Sequence, residues 1–467
     1  MLTSMLQKNN LNPRLLSAHY AVRGKLVQRA HELEQQGRRI IYCNIGNPHT
    51  FLQKPLTYVR EVLSLLECPE LIKHASQFNF FNPDSINKAK EILSYIPEGL
   101  GAYSATTGIE FIRRAIADFI NKRDNVAADF SRIILTDGAS EAAQSIITAL
   151  IKSPQDGIMV PIPQYPLYNA SLELKGGASI GYYLDENNNW QLREELLEES
   201  LLQAKKDDIN PVAITVINPG NPTGSVLTYA NIQMVIDFAK KHNLAIMADE
   251  VYQENIYNPK HVFHSFAKVM HDLQITDVSL FSFHSMSKGY FGECGHRAGY
   301  LEARNIPDDV FEQLIKLQSI NLCANVAGQI ATYLMVTPPK PHEESYPLYL
   351  AEKQTILNDL REKAIIVGQE VNKIPGMSVN IPDGAMYAFV KFELPQHVIA
   401  RYPQQNNLDE MYCLDLLEQT GICVVPGAGF GQLPGTLHFR MTFLPGKEQI
   451  IDLVAKLKEF HINYTNL

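Results

Sequence analysis

The chain has 467 residues, 45% of them hydrophobic and 19% charged; at roughly 150 residues per domain that length implies two or three domains around a large core. Such a composition excludes a disordered tail, a collagen-like repeat and a coiled coil. The net charge of −9, with no block of five or more basic residues, argues against a nucleic-acid or acidic-membrane surface.

Residues 1–31 hold Lys8, Arg14, Arg23, Lys25 and Arg29 but no Asp or Glu, a transit-peptide-like bias without the apolar core of a secretory signal. The run Ala18–Glu34 reads as a helix that belongs to the fold. From about Phe111 to Leu301, short β-branched runs alternate with helical stretches. The strands are Arg132–Thr136, Gly157–Val160, Val212–Ile217, Ala245–Met247 and Val278–Phe283, and the helices are Ser140–Lys152, Tyr168–Lys175 and Tyr229–His242. That alternation predicts an α/β domain with a mostly parallel, buried central sheet and helices on both faces. Four prolines within residues 337–347 break the pattern and mark a boundary. A long helix over Tyr349–Lys373, strands at Tyr387–Phe392 and His438–Phe443, and a C-terminal helix then read as a smaller α+β domain. The resulting division is an N-terminal arm with part of the small domain (1–60), a large domain (61–340) and a C-terminal small domain (341–467).

Six cysteines are scattered without a C-x-x-C pair, as expected for reduced thiols in a cytoplasmic compartment. No His/Cys set is spaced for a metal, so none is expected. Apolar runs such as Ala213–Ile217 fall far short of the roughly 20 residues that span a bilayer.

Five motifs sit at strand ends, where α/β proteins place their sites. Asp137-Gly-Ala-Ser-Glu141 follows a strand and opens a helix, so the Ala139 and Ser140 amides can cradle a phosphate, although an ordinary capped turn has the same residues. Pro163-Gln-Tyr165-Pro-Leu-Tyr168 offers aromatic faces to a flat heterocycle, or is a packed loop. Asn218-Pro-Gly-Asn221-Pro-Thr-Gly224 is a tight loop that holds one amide side chain between two prolines. Asp249-Glu-Val-Tyr252 supplies a carboxylate at a strand end and a hydroxyl three residues on; a helix N-cap at Asp249 is the equal alternative. Ser285-Met-Ser-Lys288-Gly fits two chemistries. It is either the nucleophile and base of a penicillin-recognising hydrolase, whose S-D-N and K-T-G companions are absent, or a lysine that forms a Schiff base with pyridoxal phosphate, its amine made nucleophilic by burial. The second demands a carboxylate on the pyridine nitrogen, which Asp249 can provide. Gly427-Ala-Gly-Phe-Gly431 lacks the spacing of a dinucleotide fingerprint.

Together, in this order and followed by Arg297, these elements resemble the fold type I, class I/II pyridoxal-phosphate aminotransferases. The match is nearer to the alanine aminotransferases on stretches such as Asn12-Pro-Arg, Leu100-Gly-Ala-Tyr-Ser104, Gly292-Glu-Cys-Gly295, Thr420–Gly427 and His438-Phe-Arg440, and it runs from about residue 12 to the C-terminus. It implies a catalytic Lys288 that carries the cofactor and shuttles a proton, Asp249 on the pyridinium, Tyr252 and Asn221 on O3′, and Tyr165 stacked on the ring. The phosphate is implied to lie among Ala139, Ser140, Ser285 and Arg297, with Tyr103 reaching the neighbouring subunit's phosphate in a homodimer. Arg440, Gly46 and Asn221 would meet the substrate, Arg440 gripping its α-carboxylate. The implied reaction is amino transfer between L-alanine and 2-oxoglutarate, giving pyruvate and L-glutamate; another substrate preference, or a lyase or synthase on the same scaffold, is the alternative. A ligand sensor fused to a DNA-binding module is disfavoured, because too few residues precede Gly46. One departure from the pattern lies at Leu322-Cys-Ala-Asn-Val-Ala-Gly328, where the resemblance calls for a proline-rich turn.

Overall fold

A computed structural model describes residues 6–18, 20, 24–77, 80–402 and 407–466. Its strands are β1 (Ile41–Tyr42), β2 (Ile133–Thr136), β3 (Asp156–Ile162), β4 (Ala178–Tyr183), β5 (Asn210–Ile217), β6 (Ala245–Asp249) and β7 (Leu280–Ser285). There follow β8 (Gly299–Arg304), β9 (Met377–Ser378), β10 (Tyr387–Phe392), β11 (Ile422–Cys423), β12 (Val425–Pro426) and β13 (His438–Thr442). Seven of them form one mixed sheet, mostly parallel and in the order β2-β8-β7-β6-β5-β3-β4, with helices on both faces. A four-stranded sheet runs β12-β13-β10-β9 and a two-stranded one joins β1 to β11. This is the expected fold class.

Contacts divide the chain into two units: Asn47–Ser145 with Met247–Glu362, and Met1–Gly46 with Ile146–Ile246 and Lys363–Leu467. In the first, every residue of β2 and of β7 is buried, as expected of strands covered on both faces. Both flank β8 antiparallel. Thr136 and Ser285 each pair with Gly299, so the ends of β2 and β7 meet across one residue. Only glycine fits there, because a Cβ would stand 2.4 Å from the His284 carbonyl oxygen. The helices Thr57–Glu67, Pro83–Tyr95, Glu110–Asp124 and Val326–Val336 cover this part with Val62, Ile92, Ile116 and Leu334, among others.

In the second unit β3 pairs in parallel with β4 and β5. The small antiparallel sheet places Arg440 opposite Phe389 on one side and Val425 on the other.

Two strands of the seven-stranded sheet, β4 and β8, have no clear sequence signal. β4 contains a glycine and shows solvent along one edge of its pattern, while β8 carries Glu302 and Arg304, whose mutual ion pair of 2.6 Å lets charged residues sit in a buried strand. The N-terminal helix spans Lys25–Gln35 behind Gly24; residues 19 and 21–23 of the expected longer run lie outside the described residues.

Candidate active site

Two clusters contain the residues singled out in the sequence, one within each unit. The first begins where β2 ends at Thr136, turns at Asp137-Gly138 and enters the helix Ala139–Leu150. Gly138 has φ +90°, a conformation that glycine adopts without steric cost, and a Cβ on it would displace the Arg297 guanidinium, whose nearest nitrogen would be 2.8 Å away. Arg297 donates to the Asp137 carbonyl at 3.2 Å, to the Cys294 carbonyl at 3.1 Å and toward Ser287 Oγ at 3.5 Å. Ser285 Oγ bonds Ser287 Oγ at 3.0 Å and donates to the Ala298 carbonyl at 3.0 Å, while the Ser287 amide donates to Ser285 Oγ at 3.1 Å. The Ala139 amide nitrogen lies 3.2 Å from where a Gly299 Cβ would be, which sets the helix N-terminus beside the end of β7. A guanidinium, two hydroxyls and a helix N-terminus gathered within one unit make a site for a dianion such as phosphate. The neighbouring carboxylate is engaged from the other side: Asp137 Oδ1 accepts from the amide and the side chain of Asn325, both at 2.8 Å.

Lys288 stands three residues beyond β7, half-buried, with Nζ 5.8 Å from the centre of the Tyr252 ring. Tyr252 is 2% exposed and Asp249, the last residue of β6, is 7% exposed. After Asp249 the next helix is Phe266–Asp272, so the N-cap alternative for Asp249 is rejected. Its neighbour Glu250 serves packing: Oε1 accepts from the Phe266 amide at 2.9 Å, and burial pushes its carboxyl up to about 8 despite the charge of Arg123. Tyr103, in contrast, is 82% exposed.

The second cluster centres on Arg440, 1% exposed. Its guanidinium lies 4.2 Å from the ring centre of Tyr387 and 4.6 Å from that of Phe430. It donates to Asn221 Oδ1 at 3.1 Å and to the Asn44 carbonyl. Nε has no partner, nor has Asn44 Oδ1. Among the described residues no carboxylate pairs with Arg440, and a buried cation without a counter-ion is a costly arrangement that a bound anion relieves. Because Asn221 Oδ1 is taken by the arginine, the Nδ2 of that amide is left as a donor. Tyr165 shares a hydrogen bond of 2.5 Å with Tyr20, meets the Tyr20 ring edge-on and packs against Trp190, Phe389, Val425 and Phe430, and its phenol is pushed well up by burial. Gly46 is buried.

Three contributors escaped the sequence. Ser287 lies inside the quoted Ser285–Lys288 motif, where a second hydroxyl carried no separate signal. Asn44 acts through its carbonyl, which any residue possesses. Asn325 sits where the expected proline-rich turn is missing. Among the described residues no group of His, Cys, Asp and Glu is placed to hold a metal, and no helix is long and apolar enough to cross a membrane.

A family model described as Aminotransferase class I and II matches residues 75–457. A probable mitochondrial alanine aminotransferase of Dictyostelium discoideum is 45% identical, with 98% of this chain and 89% of that protein covered. Glutamate–glyoxylate aminotransferase 2 of Arabidopsis thaliana is 43% identical, with 98% and 96% covered. Among solved structures, an alanine aminotransferase from Pyrococcus furiosus superposes with a TM-score of 0.78 at 26% identity, covering 97% of this chain and all 100% of that one.

Proposed function

Since this chain belongs to the class I and II aminotransferases, we propose that it moves an amino group reversibly between L-alanine and 2-oxoglutarate, with pyridoxal phosphate as its cofactor. The observation that carries the transfer chemistry is Arg440, a fully buried guanidinium held by neutral groups, with one nitrogen unpartnered. It is a ready-made receptor for the carboxylate that every amino-acid and oxo-acid substrate shares. Alanine as donor is supported by the names of full-length relatives at 43–45% identity.

The residues present fit the cofactor. The Arg297, Ser285 and Ser287 groups with the Ala139 and Ser140 amides would hold its phosphate, Tyr252 and Asn221 its O3′, Tyr165 its ring, and Lys288 its carbonyl carbon. When bound, pyridoxal phosphate supplies an electron sink for the charge left at the substrate α-carbon. The rest is the chain's own work. Arg440 orients the substrate by its carboxylate, with the Gly46 backbone beside it. The Lys288 amine would take the proton from the substrate α-carbon and deliver it to the cofactor's C4′. The Asp249 carboxylate, buried at the end of β6, holds the proton of the pyridine nitrogen. Tyr103, 82% exposed in one chain, is proposed to complete a neighbouring subunit's phosphate site in a homodimer, and a cytoplasmic location is proposed from the six free cysteines.

The test is to add single amino acids to the purified, cofactor-loaded enzyme and follow conversion of the bound cofactor to its amine form, then to offer 2-oxoglutarate and glyoxylate as acceptors. Alanine should convert it with the highest kcat/KM, yielding pyruvate, and 2-oxoglutarate should reverse the change. Faster conversion by tyrosine or aspartate, or a clear preference for glyoxylate, would overturn the substrate assignment and leave the transaminase intact. Mixing inactive Lys288→Ala and Tyr103→Ala chains tests the dimer: hybrids should recover activity that neither parent has.

A further inference from the structure

Asn325 is exposed, yet it makes more specific hydrogen bonds than any other residue around the phosphate turn. Its Nδ2 faces three oxygens, Asp137 Oδ1 at 2.8 Å, the Arg297 carbonyl at 2.8 Å and the His296 carbonyl at 3.2 Å. Its Oδ1 accepts from the Gly328 amide at 2.6 Å, and its own amide donates to Asp137 Oδ1 at 2.8 Å. Three acceptors on one side and one N–H on the other admit a single orientation of the side-chain amide.

The oxygens it joins belong to the two segments that make the anion cradle. Asp137 leads into the helix whose first amides are Ala139 and Ser140. Arg297 has φ +46°, a left-handed conformation that a non-glycine residue adopts only when its surroundings hold it there. Arg297 closes the loop from its side by donating to the Asp137 carbonyl. The asparagine thus ties the Arg297 backbone and the Asp137 carboxylate to one amide group.

We infer that Asn325 is a positioning residue for the cofactor's phosphate: by fixing the left-handed turn at Arg297 against the Asp137–Ala139 turn it aims the guanidinium at the anion. This rests on the reading of Arg297 as the phosphate clamp given above. The competing role is purely local, since Asn325 is also the N-cap of the helix Val326–Val336.

Asn325→Asp and Asn325→Ser separate the two, because Asp and Ser cap a helix about as well as Asn but neither can donate a side-chain amide hydrogen to the Arg297 carbonyl. The apoenzyme of each variant is titrated with pyridoxal phosphate and, separately, with pyridoxal, which lacks the phosphate; folding is checked by circular dichroism. Expected is a dissociation constant for pyridoxal phosphate raised about tenfold, the scale of one well-made hydrogen bond to a charged group, with that for pyridoxal changed by less than about twofold. Inorganic phosphate should compete correspondingly less well. If both affinities fall together, or neither moves, Asn325 is only a cap and the inference is overturned. Arg297→Lys serves as the reference: if it too fails to separate the two ligands, the clamp reading falls with the inference, whereas if Arg297→Lys separates them and both Asn325 variants do not, only the inference falls. Should Asn325→Asp fail to fold beside Asp137, the serine variant decides alone.

Discussion

The two arginine-centred clusters, each proposed above to hold an anion, are built from opposite materials. Around Arg297 the donors are mostly backbone and hydroxyl groups at the ends of β2 and β7, and the guanidinium itself is exposed. Around Arg440 most of the surroundings are buried side chain: two aromatic faces and an amide, with one backbone carbonyl, that of Asn44, and no counter-ion among the described residues. A site built from a helix N-terminus shares its load among several donors and water. A site built on one buried cation does not. The first should therefore degrade gradually under mutation and the second abruptly.

The harshest test of that contrast lies at the strand end beside the first cluster. Asp249→Asn should leave folding and cofactor binding nearly intact but lower kcat by about a thousandfold or more. A charge-assisted hydrogen bond contributes roughly 1.5–3 kcal/mol in the ground state, and the loss grows as charge develops at the barrier, each 1.36 kcal/mol being about tenfold. Turnover close to wild type would remove Asp249 from the pyridine nitrogen. Next comes Arg440→Ala. Truncating one partner of a buried charge pair costs roughly 2–5 kcal/mol, so kcat/KM should fall from about thirtyfold to several thousandfold, and equally for alanine and glutamate, because the α-carboxylate is common to both. A loss confined to one substrate would mean that Arg440 reads the side chain instead.

Arg440 and Lys288 could be singled out in the sequence because the chemistry proposed for them lies in the side chain, Lys288 just beyond the apolar strand β7 and Arg440 inside the apolar strand β13. The fold was legible because β5, β7 and β10 are short runs rich in β-branched, aromatic and other apolar residues, set between helical stretches or turn formers. β8 was not, since its Glu302 and Arg304 look like surface residues until their ion pair is seen. The site's other blind spots are also relational. The Asn44 carbonyl reaches Arg440 because the neighbouring Cys43 carbonyl accepts from the Thr442 amide at 2.9 Å, and the reach of Asn325 to Arg297 depends on the register by which β8 pairs with both β2 and β7 at Gly299.

The gradual side of the contrast is measured by Arg297→Lys. An ammonium keeps the charge but loses the fork that reaches the Asp137 and Cys294 carbonyls, so the cofactor's dissociation constant should rise about tenfold while kcat at saturating cofactor changes little. A fall in kcat that added cofactor cannot restore would show that the cradle is as brittle as the Arg440 site.

The smallest effect concerns stability, and it comes from what lies behind Asp249. Glu250 is 2% exposed and its carboxyl is raised to about 8, chiefly by burial, against about 4.3 for a glutamate in an unfolded chain. At pH 7 the folded state therefore keeps a proton that the unfolded state has released. Raising the pH from about 4.3 favours the unfolded chain, which binds fewer protons at this group, and the loss levels off once the pH passes about 8 and both states are ionised. His284 carries the opposite sign, because burial and the charge of Arg123 lower its imidazole to about 3. Its contribution is present above about pH 6.5 and is lost as the pH falls toward 3. The two groups occupy one buried region, since the Glu250 amide donates to the Phe283 carbonyl at 3.0 Å. Glu250→Gln mimics the protonated carboxyl and cannot ionise. Thermal unfolding followed from pH 5 to 9 should show a flatter alkaline limb for this variant, with its largest gain over wild type near pH 8 and above. Equal slopes in the two proteins would show that Glu250 is ionised in the folded state and that Arg123, which also pairs with Asp124 at 2.5 Å, carries its charge as well.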